Sequence, residues 1–216
     1  MMAITAIKPN RRALSKQRRR QQLIDATIKC ISKKGLGSLT LADVAIEASL
    51  SQGIVNLHFD SKDNLLKETL RFLAEDYDAQ FMQTLELSSC EAAETLFELM
   101  QMDLRPAVCD RKKLAVWFAF WGEVKTVPTY QKICAAYNDK YNEIVRKLCE
   151  RIVEEGGYDD VDAQTVTDAL SSLTDGFWLS CLINPKSFDR TAALRSVSSY
   201  LRAVFPDHYK TPAGLE

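Results

Sequence analysis

From Ser15 onward, apolar residues return every three or four positions, the repeat that places them on one face of an α-helix. Leu23, Ile24, Ala26, Thr27, Cys30 and Ile31 form the first such stripe, and it stops at Gly35 and Gly37 behind Lys33 and Lys34. Thr40 sits where an N-cap belongs, with Asp43 at the capping-box position, ahead of a short helix over 41–48. After Ser49-Leu50-Ser51 a second short helix is predicted over 52–59, with Ser51 as its cap. A long amphipathic stretch then runs over 62–87, its stripe built from Leu65, Leu66, Thr69, Leu70, Leu73, Tyr77 and Phe81.

Further helices are predicted over 91–105, ended by Pro106, and over 112–125. The next runs over 129–155 behind Pro128, closed by Gly156-Gly157; the last two cover 162–183 and 189–205 and stop before Pro185 and Pro206. No segment alternates with period two between turn signals, and no internal repeat or low-complexity tract is present. The expected fold is all-α, with about nine helices. The helices group into an N-terminal three-helix region (15–61, with the two short helices over 40–59), a connecting helix (62–87) and a C-terminal helical region (88–206). Residues 1–14 read as a flexible basic arm and 207–216 as a tail.

Composition adds little until it is divided along the chain. The 216 residues carry a net charge of −1, with hydrophobic content of 46% and charged content of 26%, ordinary for a soluble globular protein. Residues 1–67 hold twelve Lys/Arg against five Asp/Glu, and the remainder sixteen against twenty-four. A basic third joined to an acidic body is the asymmetry expected when one end meets phosphate, although a solvated basic tail has the same composition. No apolar run reaches the roughly 18 residues needed to span a bilayer, and no signal peptide is evident, so the cytoplasm is the expected compartment. Six cysteines (Cys30, Cys90, Cys109, Cys134, Cys149, Cys181) are scattered, and the two histidines, His58 and His208, lie beside none of them. No metal site and no cofactor is expected; the cysteines read as reduced apolar side chains. GxGxxG, P-loop and Gly-x-Ser-x-Gly motifs are absent, which argues against an enzyme.

Two short helices joined by a tight turn make a helix-turn-helix, in which the first braces the second and the second enters the major groove. Ala45 and Ala48 permit close crossing, while Val44, Leu50 and Val55 supply the small core. Gln52, Gly53, Asn56 and Leu57 are left to face DNA. Helical hairpins of other kinds share this periodicity.

The stretch TLADVAIEASLSQGIVNLHFDSKDNLL (40–66) resembles the DNA-binding signature of the TetR family through Thr40, Val44-Ala45, Ala48-Ser49-Leu50-Ser51, Gly53, His58-Phe59, Ser61-Lys62 and Leu65-Leu66. Ser49 replaces the family's usual turn glycine, which strains the turn slightly. Asn56 stands where most members have tyrosine, implying a different phosphate or base contact. RRRQQLIDATI (18–28), SQGIVNLHF (51–59), AVWFAFWGE (115–123) and LTDGFWLSCL (173–182) are similar to the choline-sensing, BetI-type branch that represses glycine-betaine synthesis genes. The resemblance implies a homodimer joined through its last two helices, operator DNA as partner and a small-molecule effector that releases it.

It also implies that Thr40 and Lys62 hold phosphates, where Thr40 can equally serve as a cap alone. Ser51 belongs to the same candidate interface. Gln52 is the best base reader, since its amide can bond bidentately to adenine. Gly53 lets backbone approach the groove; His58 either bonds phosphate or packs under the helix. Arg18, Arg19 and Arg20 either fold over the flanking backbone or form a solvated run. For the effector, Trp117, Phe118, Phe120, Trp121, Tyr130, Tyr137, Tyr141, Phe177 and Trp178 supply ring faces of the kind that hold a quaternary ammonium. Glu123 and Asp175 are candidates for charge compensation. Most of these rings are expected in the core and two to four around a cavity, with Trp117 and Trp121 first. Ligand is expected to shift 62–87 and so change the spacing of the two recognition helices. Alternatives are a drug-like cation, a fatty acyl compound or another metabolite as effector, or a sequence-indifferent architectural DNA protein.

Overall fold

The computed structural model describes residues 11–89 and 91–210; the arm residues 1–10, Cys90 and the tail residues 211–216 lie outside them. Among the described residues the chain forms nine α-helices and no strand. They are α1 (Arg11–Lys34), α2 (Leu41–Glu47), α3 (Gln52–Phe59), α4 (Lys62–Leu87), α5 (Ala92–Leu104), α6 (Arg111–Glu123), α7 (Pro128–Gly156), α8 (Ala163–Ile183) and α9 (Arg190–Val204). The chain divides into two compact units, and the boundary falls between Phe72 and Leu73, inside α4.

In the N-terminal unit, Leu23, Ile24, Ala26 and Ile31 of α1 are buried with Leu39, Val44, Ala45, Val55, Phe59, Leu65 and Leu70. Leu50, expected in this core, is only half-buried. Helix α1 starts at Arg11, four residues before the expected Ser15. Arg11, Arg12, Ala13 and Leu14 are good helix formers, so the helix extends past the start of its apolar stripe. The expected capping box is formed: the Thr40 hydroxyl accepts from the Asp43 N–H at 3.2 Å, and the Asp43 carboxylate accepts from the Thr40 N–H at 2.9 Å.

Ser51 occupies the N-cap of α3 but makes no capping bond with its side chain. The turn before it is fixed by backbone instead: the Ser49 N–H donates to the Ile46 carbonyl at 3.0 Å and the Leu50 N–H to the Ala45 carbonyl at 2.9 Å. Ser49 holds φ = 52° there, a left-handed conformation that a side chain strains.

In the C-terminal unit the later part of α4 and α5–α9 share one core, which includes Phe81, Leu96, Leu99, Met100, Val145, Ile152, Leu170, Leu201 and Phe205. Gly157 ends α7 at φ = 63°, as the Gly-Gly pair predicts. Cys30, Cys109, Cys134, Cys149 and Cys181 are free and buried, and burial pushes the Cys109 thiol up to about 12 and Cys149 to about 11. No described helix is long and apolar enough to cross a membrane.

Candidate nucleic-acid interface and ligand cavity

Helix α3 has two faces because its residues fall 100° apart. Val55 and Phe59, one turn apart, are buried, whereas Gln52, Gly53, Asn56 and Leu57 are exposed, Leu57 to 74%.

Thr40 is exposed at the start of α2, and its hydroxyl also donates to Asp43 Oδ2 at 2.6 Å. Lys34 and then Thr40 hold the Asp43 carboxyl down at about 2. A phosphate at Thr40 would therefore compete with Asp43 for the hydroxyl proton. Lys62 opens α4 half-buried, beside Ser61, whose hydroxyl accepts from the Asn64 N–H at 3.1 Å.

The three arginines of α1 separate. Arg18 and Arg19 are exposed, Arg19 donating to Gln22 at 2.8 Å. Arg20 instead pairs with Glu68 and lies 5.2 Å from the centre of the Phe59 ring, so its charge is committed within the unit. His58 is half-buried with its Nδ1 buried and without a hydrogen-bond partner. Burial, then Lys16, Arg20 and Arg19, lowers its pKa and favours the neutral ring. Gln22, not singled out by the sequence, donates to the Ala48 carbonyl at 2.6 Å and ties α1 to the turn.

The C-terminal unit contains a partly open cavity of about 80 Å³. Trp117 and Trp121 of α6 form one wall, their rings 6.1 Å apart. Ala74 and Tyr77 of α4, Cys134, Tyr137, Asn138, Tyr141 and Asn142 of α7, and Ser171, Thr174, Asp175 and Trp178 of α8 complete it. Asn138 and Asp175 are exposed and stand at the mouth; Ala74, Tyr141, Thr174 and Trp178 are buried and form the floor.

Five of the nine candidate rings reach this cavity, more than the two to four expected. Phe118, Phe120, Tyr130, Phe177 and Glu123 do not. Phe120 lies about 60° around α6 from Trp117, on the side away from Trp121, is fully buried, and meets Tyr130 edge-on at 4.9 Å in the core. Glu123 falls on the opposite face of α6, exposed, and accepts from the Thr126 hydroxyl at 2.9 Å. Phe177 packs half-buried against the core while Trp178 takes the cavity side. Phe118 stacks edge-on against Trp121 at 5.0 Å.

The group that sequence reasoning missed lies behind the floor. Asp103 of α5 is 0% exposed. Its carboxylate accepts from the Tyr77 hydroxyl at 2.8 Å, the Tyr141 hydroxyl at 3.2 Å and the Thr174 hydroxyl at 3.2 Å, and its backbone carbonyl accepts from the Trp178 indole N–H at 2.9 Å. Burial outweighs these bonds and pushes its pKa up to about 7. The signal was available: Asp103 falls on the same helical stripe as Leu96 and Leu99, where a charge has no reason to be unless it is used.

Both parts of the chain match known protein families. Residues 23–69 match the model of the bacterial regulatory proteins of the tetR family, and residues 92–206 match that of the BetI-type transcriptional repressor C-terminal domain. The HTH-type transcriptional regulator BetI of Paraburkholderia phytofirmans is 30% identical over 186 residues, spanning 86% of this chain and 93% of that one. Its counterpart in Burkholderia thailandensis is 29% identical over 183 residues, 85% and 91% of the two chains. Among solved structures, a transcriptional regulator from Saccharomonospora viridis in complex with choline shares the fold with a TM-score of 0.77 at 21% identity, over 86% of this chain and 96% of that one. A TetR transcription regulator from Haloarcula marismortui gives 0.75 at 19% identity, over 87% and 98%. The chain belongs to the TetR family of bacterial transcriptional regulators, with the C-terminal domain of the BetI-type repressors.

Proposed function

We propose that this protein is a cytoplasmic repressor that binds operator DNA as a dimer and is released by choline or a closely related quaternary ammonium, thereby controlling the conversion of choline to glycine betaine. It acts by binding, with no catalysed step. The observation that carries the effector reading is the cavity itself. Aromatic rings from α4, α6, α7 and α8 surround a small space, and Asp103 lies behind its floor with no Lys or Arg paired to it among the described residues. An ammonium without N–H groups is held by ring faces and by nearby negative charge. The relatives are named for BetI, and a protein of the same fold is known with choline bound.

On the DNA side, Gln52 and Asn56 read base edges, Leu57 offers an apolar contact and Gly53 allows close approach. Thr40, Ser51, His58 and Lys62 meet phosphate, with Arg18 and Arg19 on the flanking backbone. Arg20 serves as a brace. Exposed Leu179 and Ile183 of α8 supply apolar surface for the second copy. Helix α4 carries Lys62 at its start and Tyr77 in the cavity wall, so a ligand that moves Tyr77 acts on the helix that also carries a phosphate contact. Release requires that ligand affinity differ between the two states.

Of the other effectors, a long acyl chain or a bulky drug suits a space of about 80 Å³ less well than a compact cation. Fluorescence anisotropy of the protein on its own upstream DNA at fixed salt, with and without choline, tests the proposal. Specific binding weakened by choline is the expected result. Specific binding indifferent to choline retains the repressor and removes the effector; no preference over random duplex removes both.

A further inference from the structure

We infer that Asp103 sets the polarity of the cavity, making its floor a surface of hydrogen-bond acceptors that admits a quaternary ammonium bearing a hydroxyl and rejects the same ammonium bearing a carboxylate. This rests on the quaternary-ammonium reading above and adds a specificity that ring faces cannot supply.

A hydroxyl has one proton. Those of Tyr77, Tyr141 and Thr174 are all given to the Asp103 carboxylate, and the Trp178 indole N–H is given to the Asp103 carbonyl. These four residues line the cavity while Asp103 does not. What the three hydroxyls retain for a ligand is therefore lone pairs, and Trp178, a donor only, has nothing left. Ser171 likewise spends its proton on Asn142 Oδ1 at 2.8 Å. Donors persist on the walls and at the mouth, on Trp117, Tyr137, Asn138 and the Asn142 amide, so the acceptor character belongs to the Tyr77, Tyr141 and Thr174 hydroxyls over Asp103.

Charge acts in the same direction. Asp175 lines the cavity as a second carboxyl, and among the described residues Asp103 has no cationic partner. A ligand hydroxyl can donate to the floor. A ligand carboxylate can only accept, and it brings a third negative group beside two. The discrimination separates an alcohol from the acid formed by oxidising it, two molecules with the same trimethylammonium head.

The same geometry links binding to a proton. The groups facing Asp103 are Tyr77 from α4, Tyr141 from α7, and Thr174 and Asp175 from α8. With the Asp103 carboxyl pushed up to about 7 by burial, a cation in the cavity favours its ionised form. Choline binding near pH 7 should therefore release a proton and strengthen as pH rises from 6 to 8.

The test is calorimetric titration of the full chain with tetramethylammonium, choline and glycine betaine at pH 8. Choline should bind roughly tenfold or more tighter than glycine betaine, with tetramethylammonium between them. Titration of choline at pH 7 in two buffers of different ionisation enthalpy should reveal proton release. Asp103→Asn, shown to be folded by circular dichroism and a cooperative melt, should narrow the choline-to-betaine ratio to about threefold or less and abolish the released proton. Glycine betaine bound as tightly as choline by the unaltered protein overturns the inference and leaves the cation reading intact. Absence of binding by both tetramethylammonium and choline overturns the cation reading itself. Should Asp103→Asn not fold, the ligand series on the unaltered protein decides.

Discussion

The two units of this chain place their chemistry on opposite sides of their own surfaces. In the N-terminal unit the candidate DNA-reading groups Gln52, Gly53, Asn56 and Leu57 are all exposed, and what holds them is local. The capping box joins residues three apart and the turn bonds join residues three and five apart. In the C-terminal unit the central group, Asp103, is buried, and its partners come from positions 26 to 75 residues away: Tyr77, Tyr141, Thr174 and Trp178 all bond to it. A surface that reads a regular duplex needs only a helix presented at a fixed angle, which short-range devices can deliver. A cavity that recognises a small molecule must assemble its polar groups from several helices and satisfy them all, because an unpaired group there is costly. Substitutions should therefore act differently in the two units: modular and small in the first, coupled and large in the second.

The largest effect is expected at Asp103. Its folded pKa of about 7 stands above the ordinary 3.8, so the folded protein holds this proton more tightly than the unfolded chain. Stability is then greatest below the ordinary carboxylate range and declines as pH climbs through it toward 7. The loss is complete above 7 and amounts to roughly 4 kcal/mol. Asp103→Asn carries no ionisable group, so its unfolding free energy relative to the parent should rise between pH 5 and pH 8. Denaturant unfolding at the two pH values measures this, and a difference independent of pH would remove the coupled floor from the picture.

Trp121 comes next. Half-buried at the cavity wall, it can be cut to alanine with less loss of core than Trp117 or Trp178. Trp121→Ala should weaken choline binding by about 2 kcal/mol, roughly thirtyfold, and leave operator affinity without ligand unchanged. If both affinities fall together, the two units are not separable in the way their construction suggests.

On the DNA side, Gln52→Ala should weaken operator binding by about 1–3 kcal/mol and leave random duplex nearly untouched. Lys62→Ala should weaken both alike and make the salt dependence shallower by about one charge. Anisotropy titrations on the two duplexes at several salt concentrations separate base reading from phosphate holding. Identical profiles for the two variants would show that one of these residues has been given the wrong role.

The same contrast explains what the sequence made legible. Helix positions followed from periodicity, proline and glycine, since these act within a few residues; the ends of α2–α9 fall within a residue or two of their expected places. The capping box was legible for the same reason. Ser51 occupies the cap position that its residue type marks, yet its side chain makes no capping bond, because the backbone bonds of Ser49 and Leu50 already fix that turn. Aromatic residues announced a cavity but not its lining. Trp117 and Trp121 share a face of α6 while Phe120 and Glu123 do not, and only packing decides which face meets the space. Asp103 escaped notice because its partners are far away in sequence. Tyr77 escaped because a tyrosine on an apolar stripe reads as core.

The smallest predicted effect falls on the turn, where the chain departs from its family. Ser49 holds φ = 52°, a region in which a Cβ costs about 1–2 kcal/mol. Its side chain is exposed, so nothing recovers that cost. Ser49→Gly removes the Cβ and gives back part of the gain by loosening the unfolded chain, about 0.4–1 kcal/mol. A net stabilisation of roughly 0.5–1 kcal/mol remains, a rise of about 1–4 °C in melting temperature. Ser49→Ala supplies the control, since it discards the hydroxyl, keeps the Cβ and should gain nothing. If the alanine variant stabilises as much as the glycine variant, the hydroxyl and not the backbone carries the cost. If neither does, the turn tolerates serine because the bonds from Ser49 and Leu50 to the end of α2 hold it without strain. In each case Gln52 keeps its place three residues on, and operator affinity should not change, as local bracing of the reading helix requires.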